Sequence, residues 1–560
     1  MSALLRWSWL GLVLGACGTG QIGDASAGPW QAPASQLPPS PSAAGSGALA
    51  PALGLPSARL RKLTVEQYRN SVADLLGADI PIPTELEPDT AQNGFYAIGA
   101  SSATISPAAA EKLADAAYAL AAAALSPARR TRLVPCTPQG TEDSACASEF
   151  VRKLGKRAFR RPLSDAELAR YVQVAGQAAS TLHDFYAGLE LALAGLLQSP
   201  SFLFRSELGE PDPSDPTRLR YSSYELAARL SYALWNTTPD DALLTAAESG
   251  ELRGAGLTKQ IDRLLADPRA KAALDDFHLE RLGLGELATL DRDPSVLAAL
   301  GAIDEELRAA LRDDVLRTFA EYTGSSNADI LQVFDTRVAF VNGKLAELYG
   351  LTMKPSSLTR VELPASAPRR GLLGKPGFLA LTAHAAETSP TLRGKYIRER
   401  LLCQSIGAPP PNVVPVLGEP DPNAPTMRAR LRSHATDPSC AGCHTLMDPL
   451  GLALEHFDAI GRYRETDHGQ KLDTTGELDG ERFDGVLELG ALLRADPRTA
   501  ECLVRQAYRY ALGGVETSAQ EPQIRALVER FNASGHDLRA LLGALAQSDV
   551  FLYASAKESP

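Results

Sequence analysis

Cys440-Ala441-Gly442-Cys443-His444 is the stretch of this chain whose residue types and spacing most directly name a chemistry. Two thiols two residues apart, followed at once by an imidazole, make the CxxCH pattern of covalent c-type haem attachment. The thiols form thioethers with the two vinyl groups, and one turn of chain lets both reach. The histidine then coordinates iron from the proximal side. With seven cysteines and eight histidines among 560 residues, chance occurrence of the pattern is on the order of 10⁻³. One covalent haem c, held by Cys440, Cys443 and His444, is the expected cofactor. Attachment of this kind takes place outside the cytoplasm.

Two other chemistries use the same residues less completely. Cys440, Cys443 and His456 have the spacing C-x2-C-x12-H of three zinc ligands. The next histidine, His468, lies outside the usual spacing, and His444 would be idle. A redox CxxC or a plain disulfide also ignores His444.

The ligand on the opposite face of the haem decides between electron carriage and reactivity. Met447 lies three residues after His444, on the same helical face, and is expected to pack against the macrocycle or the core. His434, six residues before Cys440, and His384, in LTAHAAETSP, are the candidate distal ligands, with Met427 a third. His183, His278 and His536 fall in helical surroundings and are not expected to bind haem. Arg393, Lys395, Arg462 and Arg464 are candidate propionate partners, although ordinary ion pairing is the commoner role. Asp448-Pro449 reads as a turn or helix terminator, and Asp458 with Gly461 as a turn. No GxSxG, HExxH or phosphate-cradling loop is present, so catalytic residues are unknown.

The other cysteines bear on the compartment. The opening MSALLRWSWLGLVLGAC has a positive start, an apolar run and small residues before Cys17. This arrangement resembles a bacterial lipobox, with Cys17 the lipidated residue of an outer-membrane or surface lipoprotein. Cys136 and Cys146 flank a short loop and suit a local disulfide. Cys403 and Cys502 are expected to pair, because an unpaired exposed thiol is a liability in an oxidising compartment. The alternative is two buried free thiols.

The elements that must position the motif read as helices. Capping boxes at Thr64 with Gln67, Ser164 with Glu167 and Ser222 with Glu225 mark starts. Ser106-Pro107, Thr238-Pro239, Asp267-Pro268 and Asp496-Pro497 mark others. Strand signals are few, the best being LDTTGELDGERFDG at 472–485, which reads as short hairpins. The expected fold is mainly α, built of helical modules with a small hairpin element and a cytochrome c-like haem module. The divisions are a signal peptide at 1–17, a Pro/Ala/Ser/Gly-rich tether at 18–58, and helical units at 59–130, 144–206 and 220–350. The haem module spans 366–470 and a closing helical unit 486–556.

Lys plus Arg is 56 against 67 Asp plus Glu, a net charge of -11, which argues against a nucleic-acid partner. At 44% hydrophobic and 22% charged residues the composition is that of a folded soluble protein. The membrane is expected to be reached by the lipid anchor alone.

Several longer strings resemble one family. TVEQYRNSVADLLG at 64–77, FVRKLGKRAFRRPLSDAE at 150–167 and YELAARLSYALWNTTPDDALL at 224–244 occur in that order. They are followed by FVNGKLAELYG at 340–350 and RRGLLGKPGFLALTAHAAETSPTLRGKYIRERLLC at 369–403. CAGCHTLMDPLGLALEHFDAIGRYR at 440–464 and CLVRQAYRYALGG at 502–514 close the series. The series resembles the large exported proteins, best known from planctomycetes, in which a cytochrome c-type module accompanies several domains of unknown function. The resemblance implies the modular architecture and says little about activity. The expected role is single-electron transfer at the cell envelope, with a redox partner protein or a small electron donor or acceptor. The alternatives are a haem oxidoreductase with an open distal position, and a surface binding or scaffold protein with structural haem.

Overall fold

The computed structural model describes residues 54–297, 302–324, 327–407 and 424–556. Cys17, the signal segment and the tether up to residue 53 lie outside the described residues. Gly54 to Ala58 already belong to the folded part: the Pro56 carbonyl accepts from Ser555 N at 2.8 Å. Helix accounts for 58% of the residues, and the described strands form only short antiparallel pairings, so the fold is mainly α. Among the described residues no helix is long and apolar enough to cross a membrane.

Strand β1 (Arg59–Lys62) leads into helix α1 (Val65–Leu76), whose Thr64/Gln67 capping box satisfies its first free amides. Helices α2 (Pro107–Ala124), α3 (Ser144–Phe159), α4 (Asp165–Leu182) and α5 (Phe185–Gln198) follow. Strand β2 (Phe204–Glu207) returns to pair antiparallel with β1, Arg61 opposite Arg205. The first two predicted helical units therefore share one core, in which Val72, Phe150, Leu189 and Phe202 are fully buried. The Cys136–Cys146 disulfide closes the loop between α2 and α3.

A second, larger core runs from helix α6 (Ser223–Leu234) through α7 (Pro268–Leu282) and α8 (Glu305–Glu321) to the C-terminal helices. Ser222 and Asp267 cap α6 and α7 as expected. Thr238-Pro239 does not start a helix. Asp240 takes that role, accepting from Leu243 N at 2.9 Å, because a carboxylate two residues on is the better acceptor for the free amides. Several short antiparallel pairings escape the sequence pattern, among them Val338–Val341 with Thr359–Glu362 and Asp215–Arg220 with Tyr553–Ser555.

The seam between β1, β2 and the C-terminal helix α13 (Pro497–Leu512) holds Arg61, Arg205 and Arg229 around Glu207, all buried. Arg61 Nη1 lies 3.4 Å and Arg205 Nη2 3.5 Å from Glu207 Oε1, and Arg229 pairs with Oε2. Arg61 also donates to Ala511 O at 3.3 Å and Arg59 to Gly513 O at 3.4 Å. Both carbonyls lie at the C-terminus of α13, where the helix dipole favours cations. Burial lowers the Arg61 guanidinium to about 9. The three guanidinium groups outweigh the burial cost at Glu207 and hold its carboxyl down at about 2.

Candidate haem-attachment site

Helix α9 (Pro390–Tyr396) opens behind a Ser389 cap and runs into a π-helical turn, Ile397–Leu401, that delivers Cys403. Cys403 is bonded to Cys502 of α13, so the predicted bridge ties the segment after α9 to that helix. Helix α10 (Met427–Thr436) and helix α11 (Pro438–Leu452) follow, joined at Asp437, which caps α11 through Ser439 N at 2.8 Å. Strands β3 (Thr475–Leu478) and β4 (Glu481–Asp484) form the predicted hairpin, with Glu481 opposite Leu478, and helix α12 (Gly485–Ala495) follows.

The CxxCH motif forms the first two turns of α11. Cys440 and Cys443 are half-buried and neither is disulfide-bonded, whereas Cys136, Cys146, Cys403 and Cys502 all are. Three and four residues on an α-helix return to one face, so Cys440, Cys443 and His444 look the same way. His444 Nδ1 lies 2.9 Å from Asp448 Oδ2, one turn later. Asp448 is buried, and its Oδ1 accepts from the Thr391 hydroxyl of α9 at 2.8 Å. A carboxylate oxygen accepts, so Nδ1 is the donor of this pair and Nε2 is the ring nitrogen turned away from it. A ligating histidine is commonly held by such a carboxylate on its other nitrogen. The His444-x3-Asp448 spacing was the sequence signal for this partner, and the sequence reading passed over it.

Asp448-Pro449 does not end the helix: α11 continues through Pro449 to Leu452. The missing amide of Pro449 costs one intrahelical bond, while the tertiary contacts on both sides hold the turn. Helices α9 and α11 approach so closely that a Cβ on Gly394 would stand 1.8 Å from Met447 O. One on Gly451 would stand 1.8 Å from Pro390 O. Met447 is buried in this seam.

The expected propionate partners are elsewhere engaged. Arg393 is fully buried and donates to Glu455 Oε1, Leu454 O, Phe457 O and Asp458 O. Arg464 pairs with Glu455 and Asp467, and Arg462 donates to Val296 O. Arg393 locks the chain after α11 onto α9, a tertiary role that residue type does not reveal. Lys395 remains half-exposed, 3.9 Å from Glu399. Asp458 Oδ1 accepts from Ile460 N and Arg462 N, and Gly461 adopts φ 89°, making the expected turn.

Of the distal candidates, His434 on α10 has its ring against His444, centroids 4.9 Å apart and planes at 64°. His384 lies on an exposed loop, its amide donating to Glu387 O. Met427 is buried with Leu431 and Leu452, and its sulfur accepts from Arg430 at 3.5 Å. His183 ends α4 in the left-handed region, His278 is buried on α7 against Phe319, and His536 lies between two helices.

Cys440, Cys443 and His444 share one face of α11, the arrangement that covalent haem attachment uses. Among the described residues no three His, Cys, Asp or Glu side chains converge where a metal ion could sit, and His456 instead packs edge-on to Tyr463. Thioether bonds to a ring edge need no such convergence. Leu392 and Leu446, on α9 and α11, are 40% and 42% exposed, leaving apolar surface on the two helices that carry the site. A cleft of about 680 Å³, lined by Leu60, Phe204 and Tyr224 among others, includes no residue of the motif.

Five family models match in chain order, each described as a protein of unknown function. Residues 61–126 match DUF1587, 146–207 DUF1595, 221–351 DUF1592, 369–467 DUF1588 and 479–551 DUF1585. No curated protein and no solved structure matches the chain. The CxxCH helix and its partners on α9 fall within the fourth of these regions. In this order the five matches give the chain the planctomycete-type, cytochrome c-associated set of domains of unknown function.

Proposed function

We propose that the protein is an exported c-type haem lipoprotein that passes single electrons at the bacterial cell envelope, anchored through Cys17 to the outer membrane. Cys440 and Cys443 would hold the haem covalently, and His444 would ligate its iron. The observation that carries this reading is the pair of unbonded thiols one turn apart beside a histidine whose Nδ1 is engaged by a buried carboxylate. When bound, haem supplies a one-electron couple, and the protein supplies ligation, orientation and shielding. Asp448, itself held by Thr391, fixes the orientation of the His444 ring. The α9–α11 seam excludes water from the buried half of the motif helix. The electron partner is a second redox protein or a small donor or acceptor reached at the exposed half.

The test is expression of the full chain in a host with a haem-attachment system, followed by denaturing electrophoresis with haem staining and intact mass. A stained band with the mass of one added haem, lost in Cys440→Ser/Cys443→Ser, is expected. A stain retained by that double variant, or an unmodified wild-type mass, overturns the reading.

A further inference from the structure

We propose that His434 is the second axial ligand of the iron, opposite His444. The centre would then be a closed, bis-imidazole electron carrier with no open position for a substrate. This inference rests on the haem reading above. The two imidazoles are already neighbours, meeting edge to face with centroids 4.9 Å apart. A metal–imidazole nitrogen bond is about 2 Å long, so an ion between two such rings sets their nitrogens about 4 Å apart and their centroids about 6 Å apart. The rings must therefore separate by roughly 1 Å from their observed contact.

The fold permits that movement at His434 and resists it at His444. His444 stands on a helix whose backbone is jammed against α9 at Gly394 and Gly451, and its ring is held by Asp448. His434 stands on α10, a ten-residue helix with its own small apolar cluster of Met427, Leu431 and Leu452, separate from both large cores. Its described charged anchors are Arg428, which pairs with Asp473 and donates to the Asp473 and Thr475 carbonyls, and Arg430, whose largely buried guanidinium pairs with Glu387. A short helix pivoting at Asp437-Pro438 can open by this amount without disturbing the main core. The competing ligands are badly placed. Met427 is committed to the apolar cluster, Met447 lies in the α9–α11 seam on the His444 face, and His384 makes no ring contact with His444.

The experiment uses the holoprotein and reads coordination by ferric and ferrous absorption spectra, electron paramagnetic resonance and carbon monoxide addition. Wild type is expected to be six-coordinate and low-spin in both oxidation states and inert to carbon monoxide on mixing. His434→Ala should keep its covalent haem, become high-spin in the ferrous state, bind carbon monoxide at once and return to low-spin on adding imidazole. His384→Ala and Met427→Leu should leave the spectra unchanged. The proposal is overturned by a high-spin wild type, by a low-spin His434→Ala, or by a spin change in either of the other two variants. His434→Met supplies a second probe, with a methionine-type ligand spectrum expected in place of the bis-imidazole one, and an unaltered bis-imidazole spectrum counting against it. Loss of covalent haem from the wild type overturns the underlying haem reading itself, whereas failure of His434 alone leaves the haem attached and stained.

Discussion

Glu207→Gln removes the carboxylate that pairs with three buried guanidinium groups, and its consequence follows from the geometry. Arg61, Arg205 and Arg229 are 2%, 3% and 4% exposed, so little solvent screens them when the charge is lost. The fall of the Glu207 carboxyl from 4.5 to about 2 corresponds to about 3 kcal/mol at 1.36 kcal/mol per tenfold. Removing one partner of a buried ionic cluster costs about 3–5 kcal/mol on general grounds, which agrees. If the folded part unfolds together, ~2.1 cal/mol/K per residue over about 500 residues gives roughly 1 kcal/mol/K. The melting temperature should then fall by about 3–5 °C, and further if the first two helical units melt separately. The pH dependence has a definite sign. Glu207 is depressed in the folded state, so its stabilisation is fully present above pH 4.5 and is lost as pH falls towards about 2. The glutamine variant should lack this part of the acid loss. The assay is a thermal melt by circular dichroism from pH 7 to pH 3. A Glu207→Gln protein that melts within 1 °C of wild type at pH 7 refutes the reasoning.

Two further outcomes concern the motif helix. Gly394→Ala places a methyl against the Met447 carbonyl, where backbone rather than a flexible side chain must yield, so about 1–3 kcal/mol of stability and part of the covalent haem yield should be lost. Thermal melts and quantitative haem staining check both. Asp448→Asn replaces a charged acceptor of the His444 N–H by a neutral one, worth roughly 1 kcal/mol. A less basic axial imidazole favours reduced iron, so the midpoint should rise by roughly 40 mV at 59 mV per 1.4 kcal/mol for one electron, read by spectroelectrochemical titration.

Local chemistry was legible in the sequence and tertiary chemistry was not. The capping boxes at Thr64, Ser164 and Ser222 appear as predicted, because a cap is satisfied within three residues. The same locality explains the Glu481–Leu478 hairpin and the Cys136–Cys146 bridge. Pairing of β1 with β2 joins residues nearly 150 positions apart, and nothing in either strand names the other. Arg393 illustrates the limit within the site. Its residue type suits a propionate, yet it is fully buried by contacts with the carbonyls of residues 454–458. Pro449 fails for the complementary reason: a strong local helix breaker is overridden by packing on α9 and β3.

The motif helix is divided in a way that suits a group added after translocation. Its second half is rigid: Met447 and Gly451 touch the backbone of α9, and Asp448 is buried between His444 and Thr391. That half fixes the direction of the His444 ring, so binding of the proposed haem would not have to order the imidazole. Its first half is accessible: Cys440 and Cys443 are half-buried, and α10 beside them rests on a three-residue cluster. The proposed thioether formation would use that freedom, because the ring would have to reach both sulfurs while His444 stays in place. A site equally rigid throughout would exclude the ring, and one equally loose would leave the ligand angle undefined. The Cys403–Cys502 bond reinforces the rigid half by fastening the turn after α9 to α13, on the side away from the thiols in sequence. Stiffening the accessible half is therefore the informative perturbation: a disulfide engineered between α10 and α11 should lower the yield of covalent haem while raising the melting temperature of the haem-free protein. A bridge that raised both would break the link between α10 mobility and attachment.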